Sequence, residues 1–267
     1  MRAASPGSAE ERVLLREDAQ GIATLTLNRP AARNALSEPL LIELERALTA
    51  IAADPSVRVV VLRANGPAFC SGHDLRELRS RSDRIWQLGL FRRCGEVMLA
   101  ITRLRVPVIA RVHGIATAAG CQLVASCDLA LASEDARFAT PGVNIGLFCS
   151  TPMVALSRAV GRKRALEMLL TGEALSAAEA AQAGLINRAV PVDRLDEDVA
   201  ALAAAISGKS ALTVGIGKEA YYRQLELDLP AAYAYTAEVM ARNLASHDAC
   251  EGIDAFLEKR TPVWEDR

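Results

Sequence analysis

The stretch PVIARVHGIATAAGCQLVASCDLALAS, Pro107–Ser133, decides how the rest of the chain is read. Val106–Val112 is a short apolar run with many β-branched residues, the pattern of a strand buried on both faces of a parallel sheet. It passes through His113-Gly114 into small residues, Thr117 to Gly120, that open a helix predicted over Thr117–Ser126. Asp128–Leu131 then reads as another strand. Strand, small-residue turn, helix and strand in succession form a β/α unit, and such units assemble around a parallel sheet.

The same pattern extends upstream. Gly21–Asn28 (GIATLTLN) alternates as a strand does, and Val57–Arg63 (VRVVVLR) is a second buried run. Between them Ser37 can cap a helix whose Leu40, Leu41, Leu44, Ala47, Leu48 and Ile51 share one stripe, ended by Asp54-Pro55. A long helix is predicted over Asp83–Leu104. Downstream of Ser150 helical spacing dominates: Arg162–Leu170, Ser176–Ala183, Val192–Ile206, Ala211–Leu227, Ala231–Ala245 and Gly252–Glu258, with Leu185–Val190 as a strand among them. The expected organisation is an α/β core over 11–207 and a helical region over 208–267, divided near Ser207-Gly208. A disordered tail rich in Ala, Ser, Gly and Pro is expected over 1–10.

Composition limits the function. The 267 residues carry 31 Lys and Arg against 32 Asp and Glu, a formal net charge of −1, which gives no global attraction to nucleic acid or an anionic membrane. Aromatic residues at 4% argue against a stacking platform for single strands. The six cysteines form no CxxC pair and read as buried thiols of a reducing compartment, not as zinc ligands or disulfides, so no metal is expected. No stretch approaches the roughly 18 apolar residues of a spanning helix, and Met1–Glu10 lacks the apolar middle of a secretory signal. The expectation is a cytoplasmic protein without a nucleic-acid or membrane partner.

Two places can carry chemistry. Phe69-Cys70-Ser71-Gly72-His73-Asp74-Leu75 follows VRVVVLR, and His113-Gly114-Ile115-Ala116-Thr117-Ala118-Ala119-Gly120 follows VPVIARV. Both lie at the carboxyl ends of strands, where α/β sheets bind ligands, and small residues admit a substrate to the backbone. Together they are either two close-packed turns or a pair of N–H donors for one developing oxyanion. With three histidines in the chain, imidazole is scarce: His113 at a strand end reads as structural, while the His73 ring either packs or works. Asp74 reads as a turn or cap residue, and Cys149 as a small buried thiol. Gly215-Ile216-Gly217-Lys218 lacks the spacing and the Ser/Thr of a phosphate loop and reads as helical surface.

Five strings in order resemble the crotonase (enoyl-CoA hydratase/isomerase) superfamily: Leu27–Leu36 (LNRPAARNAL), Gly66–Leu75 (GPAFCSGHDL), Pro107–Ser133, Arg158–Asn187 and Glu251–Trp264. Ala116–Asp128 and Phe138–Pro152 point, within it, to a branch of hydratase-domain proteins. The resemblance implies a ClpP-like spiral of ββα units with a C-terminal α-helical trimerisation region, assembled as trimers or as dimers of trimers. The ligand it implies is an acyl-CoA thioester, with coenzyme A as part of the substrate and no separate cofactor. By the same resemblance the thioester oxygen lies between the backbone N–H groups of His73 and Ala119. Ser71, Gly72, Asp74 and Leu75 fall in the segment lining the thioester and adenine region. Phe256 and Lys259 match positions that meet the CoA of a neighbouring subunit. Where relatives carry a lysine this chain has Ala31, and Arg33 stands two residues on.

Hydratases of the superfamily use two glutamates, and their positions fall on Gln122 and Gly142. An amide can hold water but cannot take its proton, and glycine has no side chain. General acid–base catalysis is worth about 10²–10⁴-fold per group. The implied function is therefore a nominal enoyl-CoA hydratase of fatty-acid metabolism without its usual acid–base pair. Acyl-CoA decarboxylation or other enolate chemistry is one alternative, and non-catalytic acyl-CoA binding is another.

Overall fold

In the computed structural model, which describes residues 12–267, a hairpin leads into a parallel sheet; the tail expected at 1–10 lies outside the described residues. Strands β1 (Leu14–Ala19) and β2 (Ile22–Leu27) pair antiparallel. β2 then pairs in parallel with β3 (Val59–Ala64), and β3 with β4 (Val108–Val112). A three-residue strand, β5 (Ile115–Thr117), follows β4 but leaves this sheet. The main sheet continues through β6 (Leu129–Ser133) and ends on a strand at Arg188–Val190, also parallel. β5 instead pairs with β7 (Arg137–Ala139), which pairs with β8 (Leu175–Ser176), making a second sheet of three short strands.

Burial of both faces of β3 explains its unbroken apolar sequence. Val60 and Leu62 belong to the main core, while Val59 and Val61 face a smaller cluster with Ile109, Leu131, Leu195 and Val199. On the main side lie α1 (Glu38–Ala52), burying Leu40, Leu41, Leu44, Leu48 and Ile51, and a long helix over Arg84–Arg103, burying Leu90, Cys94, Val97, Met98 and Ile101. Each such side chain contributes about 1.5–3 kcal/mol when buried. Ser37 occupies the N-cap of α1 without capping through its hydroxyl; the Glu77 carboxylate accepts the Glu38 N–H at 2.9 Å instead. Glu77 lies on α2 (Leu75–Ser80), a short helix capped by Asp74, and the long helix Arg84–Arg103 follows as α3.

The helix predicted over Thr117–Ser126 is shorter at its start: Ile115–Thr117 is taken by β5, and α4 covers Ala119–Ser126. The last expected helix is longer, running from His247 to Glu258 with Ser246 capping the Ala249 N–H. Five cysteines are buried and Cys250 is exposed. The Gly215–Lys218 segment is helical, within Ala211–Gln224, but Lys218 is not on the surface. Its ammonium is buried and donates to the carbonyls of Ile101 and Val106 at 2.9 Å each and to Asp128 Oδ2 at 2.6 Å. Asp128 also accepts the Val108 N–H and the Tyr222 hydroxyl. The basic end of this string thus fastens a C-terminal helix to the parallel sheet.

Candidate active site

The two small-residue turns meet. Cys70 and Ala116 form a parallel bridge in which the Cys70 N–H donates to the Ile115 carbonyl at 3.1 Å and the Thr117 N–H to the Cys70 carbonyl at 2.9 Å. Gly120 sits where a methyl group would strike the Cys70 carbonyl oxygen, so the first turn of α4 lies directly against the other loop. Gly72 has φ +90°, and a side chain there would come within 2.9 Å of Ala118 Cβ and 3.3 Å of Ala119 N. The peptides leading to His73 and to Ala119 are therefore neighbours.

Neither of their N–H groups donates to an acceptor among the described residues. The Ala119 N–H opens α4, whose first amides have no intrahelical partner, and Ala118 before it is held at φ 51°, ψ −117°. That backbone conformation is rare for a residue with a Cβ and costs about 1–3 kcal/mol. It is kept in place by the Ala118 N–H donating to Ala139 of β7 at 2.8 Å.

Both N–H groups belong to residues lining one cavity of about 410 Å³. Ser71, His73, Leu75, Ala119 and Gly142 all line it. Leu78, Phe91, Ile145, Leu147 and Phe148 supply most of the remaining wall, and Cys149 joins them. The His73 ring stands edge-on to Phe91, with centroids 5.1 Å apart, and its Nε2 is buried without a partner among the described residues. Burial pushes its pKa down to about 4, so the imidazole is neutral at ordinary pH.

The two glutamate positions have different fates. Gln122, on α4, is buried, and its Oε1 has no partner among the described residues. Gly142 lines the cavity in a 3-10 turn, Pro141–Ile145, and a methyl group there would strike the Leu147 carbonyl oxygen and lie 2.9 Å from Cys149 Sγ. The Leu147 N–H donates to the Gly142 carbonyl at 2.9 Å, and the Gly142 N–H donates to the Cys149 thiol. Burial raises the Cys149 pKa, which keeps it a thiol. The loop has closed over the place where a carboxylate side chain would begin.

Several expected residues stand off from the cavity. Asp74 caps α2 through Arg76 and Glu77 N–H and holds Arg29 at 3.0 Å. Burial acts to raise its pKa, but Arg29 and the two amides together hold it below the usual carboxylate range. Arg33 is exposed in a left-handed turn whose carbonyl accepts the Ser71 N–H, which puts it beside the site loop. Phe256, 82% exposed on the helix over His247–Glu258, and Lys259, at that helix's C-cap, do not line this cavity; Phe256 lines a separate hollow with Thr213 and Trp264. His113 is satisfied at both nitrogens, by Gly66 carbonyl at 2.7 Å and Arg111 at 2.8 Å. Sequence reasoning missed Phe91, Ile145, Leu147 and Phe148 as wall residues. The one available signal for the last three is an apolar run, IGLFC, in a segment without helical or strand spacing.

Among the described residues no single helix is long and apolar enough to cross a membrane. The family model for enoyl-CoA hydratase/isomerase matches residues 17–267. The rat enoyl-CoA hydratase domain-containing protein 3, mitochondrial, is 48% identical over 267 residues, covering 97% of this chain and 89% of that protein. The solved human enoyl Coenzyme A hydratase domain-containing protein 3 is 49% identical with a TM-score of 0.93, over 95% of this chain and 100% of that one. A solved enoyl-CoA hydratase from Mycobacterium smegmatis is 56% identical with a TM-score of 0.94, over 95% of this chain and 99% of that one. The rat relative is named as mitochondrial, and none of these likenesses supports the expected cytoplasmic location. The mixed α/β architecture is that of the solved crotonase structures, and the chain belongs to the enoyl-CoA hydratase/isomerase (crotonase) family.

Proposed function

We propose that the cavity binds an acyl-CoA thioester with its carbonyl oxygen between the His73 and Ala119 N–H groups. The observation that carries this reading is two unpartnered backbone donors, brought side by side by the Cys70–Ala116 bridge, on an apolar cavity. Donors fixed in a region of low dielectric stabilise a developing oxyanion by about 10²–10³-fold each, and the same charge arises in an enolate at the thioester. Arg33 beside Ser71 is a cation for the phosphates of coenzyme A. In an assembled trimer Phe256 and Lys259 meet the CoA of a neighbouring copy. Self-association is supported by exposed apolar side chains on the helix over Leu229–Leu244, among them Leu229, Tyr233, Met240 and Leu244.

Ordinary two-carboxylate hydration does not fit the site, because Gln122 is an amide and Gly142 has no room for a side chain. One further reading is favoured by the absence of Asp or Glu from the cavity lining. Decarboxylation of a malonyl-type thioester breaks the bond from Cα to the carboxylate carbon, releases CO2 and leaves its electron pair in an enolate. That step needs the oxyanion donors and no protein base: the carboxylate's charge passes to the enolate oxygen between them, and the enolate carbon then takes a proton from solvent water. Incubation with enoyl-, hydroxyacyl- and malonyl-CoA, followed by mass spectrometry of the products, tests these readings. Binding of the thioesters with slow or undetectable hydration of crotonyl-CoA is expected. Hydration at ordinary enzyme rates would overturn the loss of the acid–base pair. Binding with no turnover of any of them would favour a binding protein.

A further inference from the structure

The loop that shuts out a carboxylate at position 142 also builds a wall. Ile145, Leu147 and Phe148 line the cavity yet are 62%, 49% and 40% exposed, and Leu75, which lines the same cavity, is 54% exposed. Exposed aliphatic and aromatic groups gathered at the mouth of a cavity mark a ligand surface. None of the lining residues is Lys, Arg, Asp or Glu. The two titratable side chains in the lining, His73 and Cys149, are both shifted toward their neutral forms by burial.

We infer that this wall selects the acyl chain: the site takes thioesters with an uncharged aliphatic chain and rejects those bearing a distal carboxylate. This rests on the proposed placement of the thioester oxygen at His73 and Ala119, which leaves the chain to run against Leu75, Leu147 and Phe148. Each methylene placed there leaves water for apolar surface, worth about fourfold in affinity. A carboxylate carried along the wall, several methylenes away from the His73 and Ala119 donors, would lose hydration with no cation to meet it. Leu147 and Phe148 are in this view the specificity-determining residues, and Gly142 sets their position through the Leu147 N–H bond to its carbonyl.

Calorimetry with butyryl-, hexanoyl-, octanoyl- and adipyl-CoA tests the inference on the full chain. The dissociation constant is expected to fall by about fourfold per methylene from butyryl to octanoyl. Adipyl-CoA, which has the carbon count of hexanoyl-CoA but ends in a carboxylate, is expected to bind at least about tenfold more weakly than hexanoyl-CoA. Leu147→Arg, at an exposed position that can seat the longer side chain, should bring the two to within about threefold by pairing the carboxylate. Equal affinity of the unmodified protein for hexanoyl- and adipyl-CoA would overturn the inference, as would octanoyl-CoA binding no tighter than butyryl-CoA. Failure of butyryl-CoA and all longer thioesters to bind would instead remove the placement at His73 and Ala119, and the chain selectivity with it.

Discussion

Two buried polar regions of this molecule are built on opposite terms. Around Asp128 the groups are paired: the carboxylate accepts from Lys218, Tyr222 and Val108, and the ammonium has three acceptors. Burial lowers the Lys218 pKa and Asp128 opposes that shift. Around the cavity, by contrast, two backbone N–H groups and the His73 Nε2 have no partner among the described residues. A fully paired cluster holds parts together, whereas unpaired polar groups gathered at one cavity leave free energy available to a ligand. That contrast separates the structural lysine from the candidate functional backbone.

The largest expected effect comes from breaking the paired region. Asp128→Ala leaves the Lys218 charge buried and alone, and should lower stability by about 3–5 kcal/mol in denaturant titration. Lys218→Met in that background should recover part of the loss, because the stranded charge is gone. In the unpaired region the neutral His73 ring makes stability pH-dependent. Its folded pKa of about 4 lies below the ordinary 6.5, so the unfolded chain binds the extra proton between those values. Its contribution is present above about pH 6.5 and is lost as pH falls toward 4, by about 3 kcal/mol in total. His73→Phe should flatten that part of the profile while keeping the backbone donor.

Smaller effects test the backbone itself. Gly142→Ala should cost about 1–3 kcal/mol, since its methyl group meets the Leu147 carbonyl and the Cys149 thiol. For the same reason Gln122→Glu combined with Gly142→Glu should fail to create hydratase activity: the second glutamate displaces the loop it would have to stand on. Ala118→Gly should raise the denaturation midpoint, with a gain of about 1 kcal/mol from relief of the strained backbone after the greater freedom of an unfolded glycine. Unchanged stability there would mean that the surrounding chain already absorbs the strain.

The contrast also marks what the sequence could tell. β2, α1, β3, α3 and β4 were legible because each buries a face or both faces over enough residues for a period to show. β5, β7 and β8 were not, because two or three residues have no period and are extended only through pairing with one another. The site turns could be found from small residues after buried strands, but not their union, which depends on a bridge between Cys70 and Ala116. Lys218 was misread as surface because its partner Asp128 lies 90 residues away. The missing carboxylates were legible only through resemblance, and the reason Gly142 admits no replacement lay in the path of Leu147.

Because both proposed donors belong to the peptide backbone, no single substitution other than proline deletes one of them. Selection acting on residues 73 and 119 is free to change what the side chains do while the peptide dipoles stay in place. A histidine and an alanine can therefore stand at these positions, and the chain can shed one reaction without dismantling the machinery for another. Short of proline at either position, loss of the donors has to come from displacement, through the contacts of Gly72, Gly120 and Ala118 that keep two loops in register. Damaging natural variants should accordingly cluster at Gly72 and Gly120, which lie outside the cavity lining.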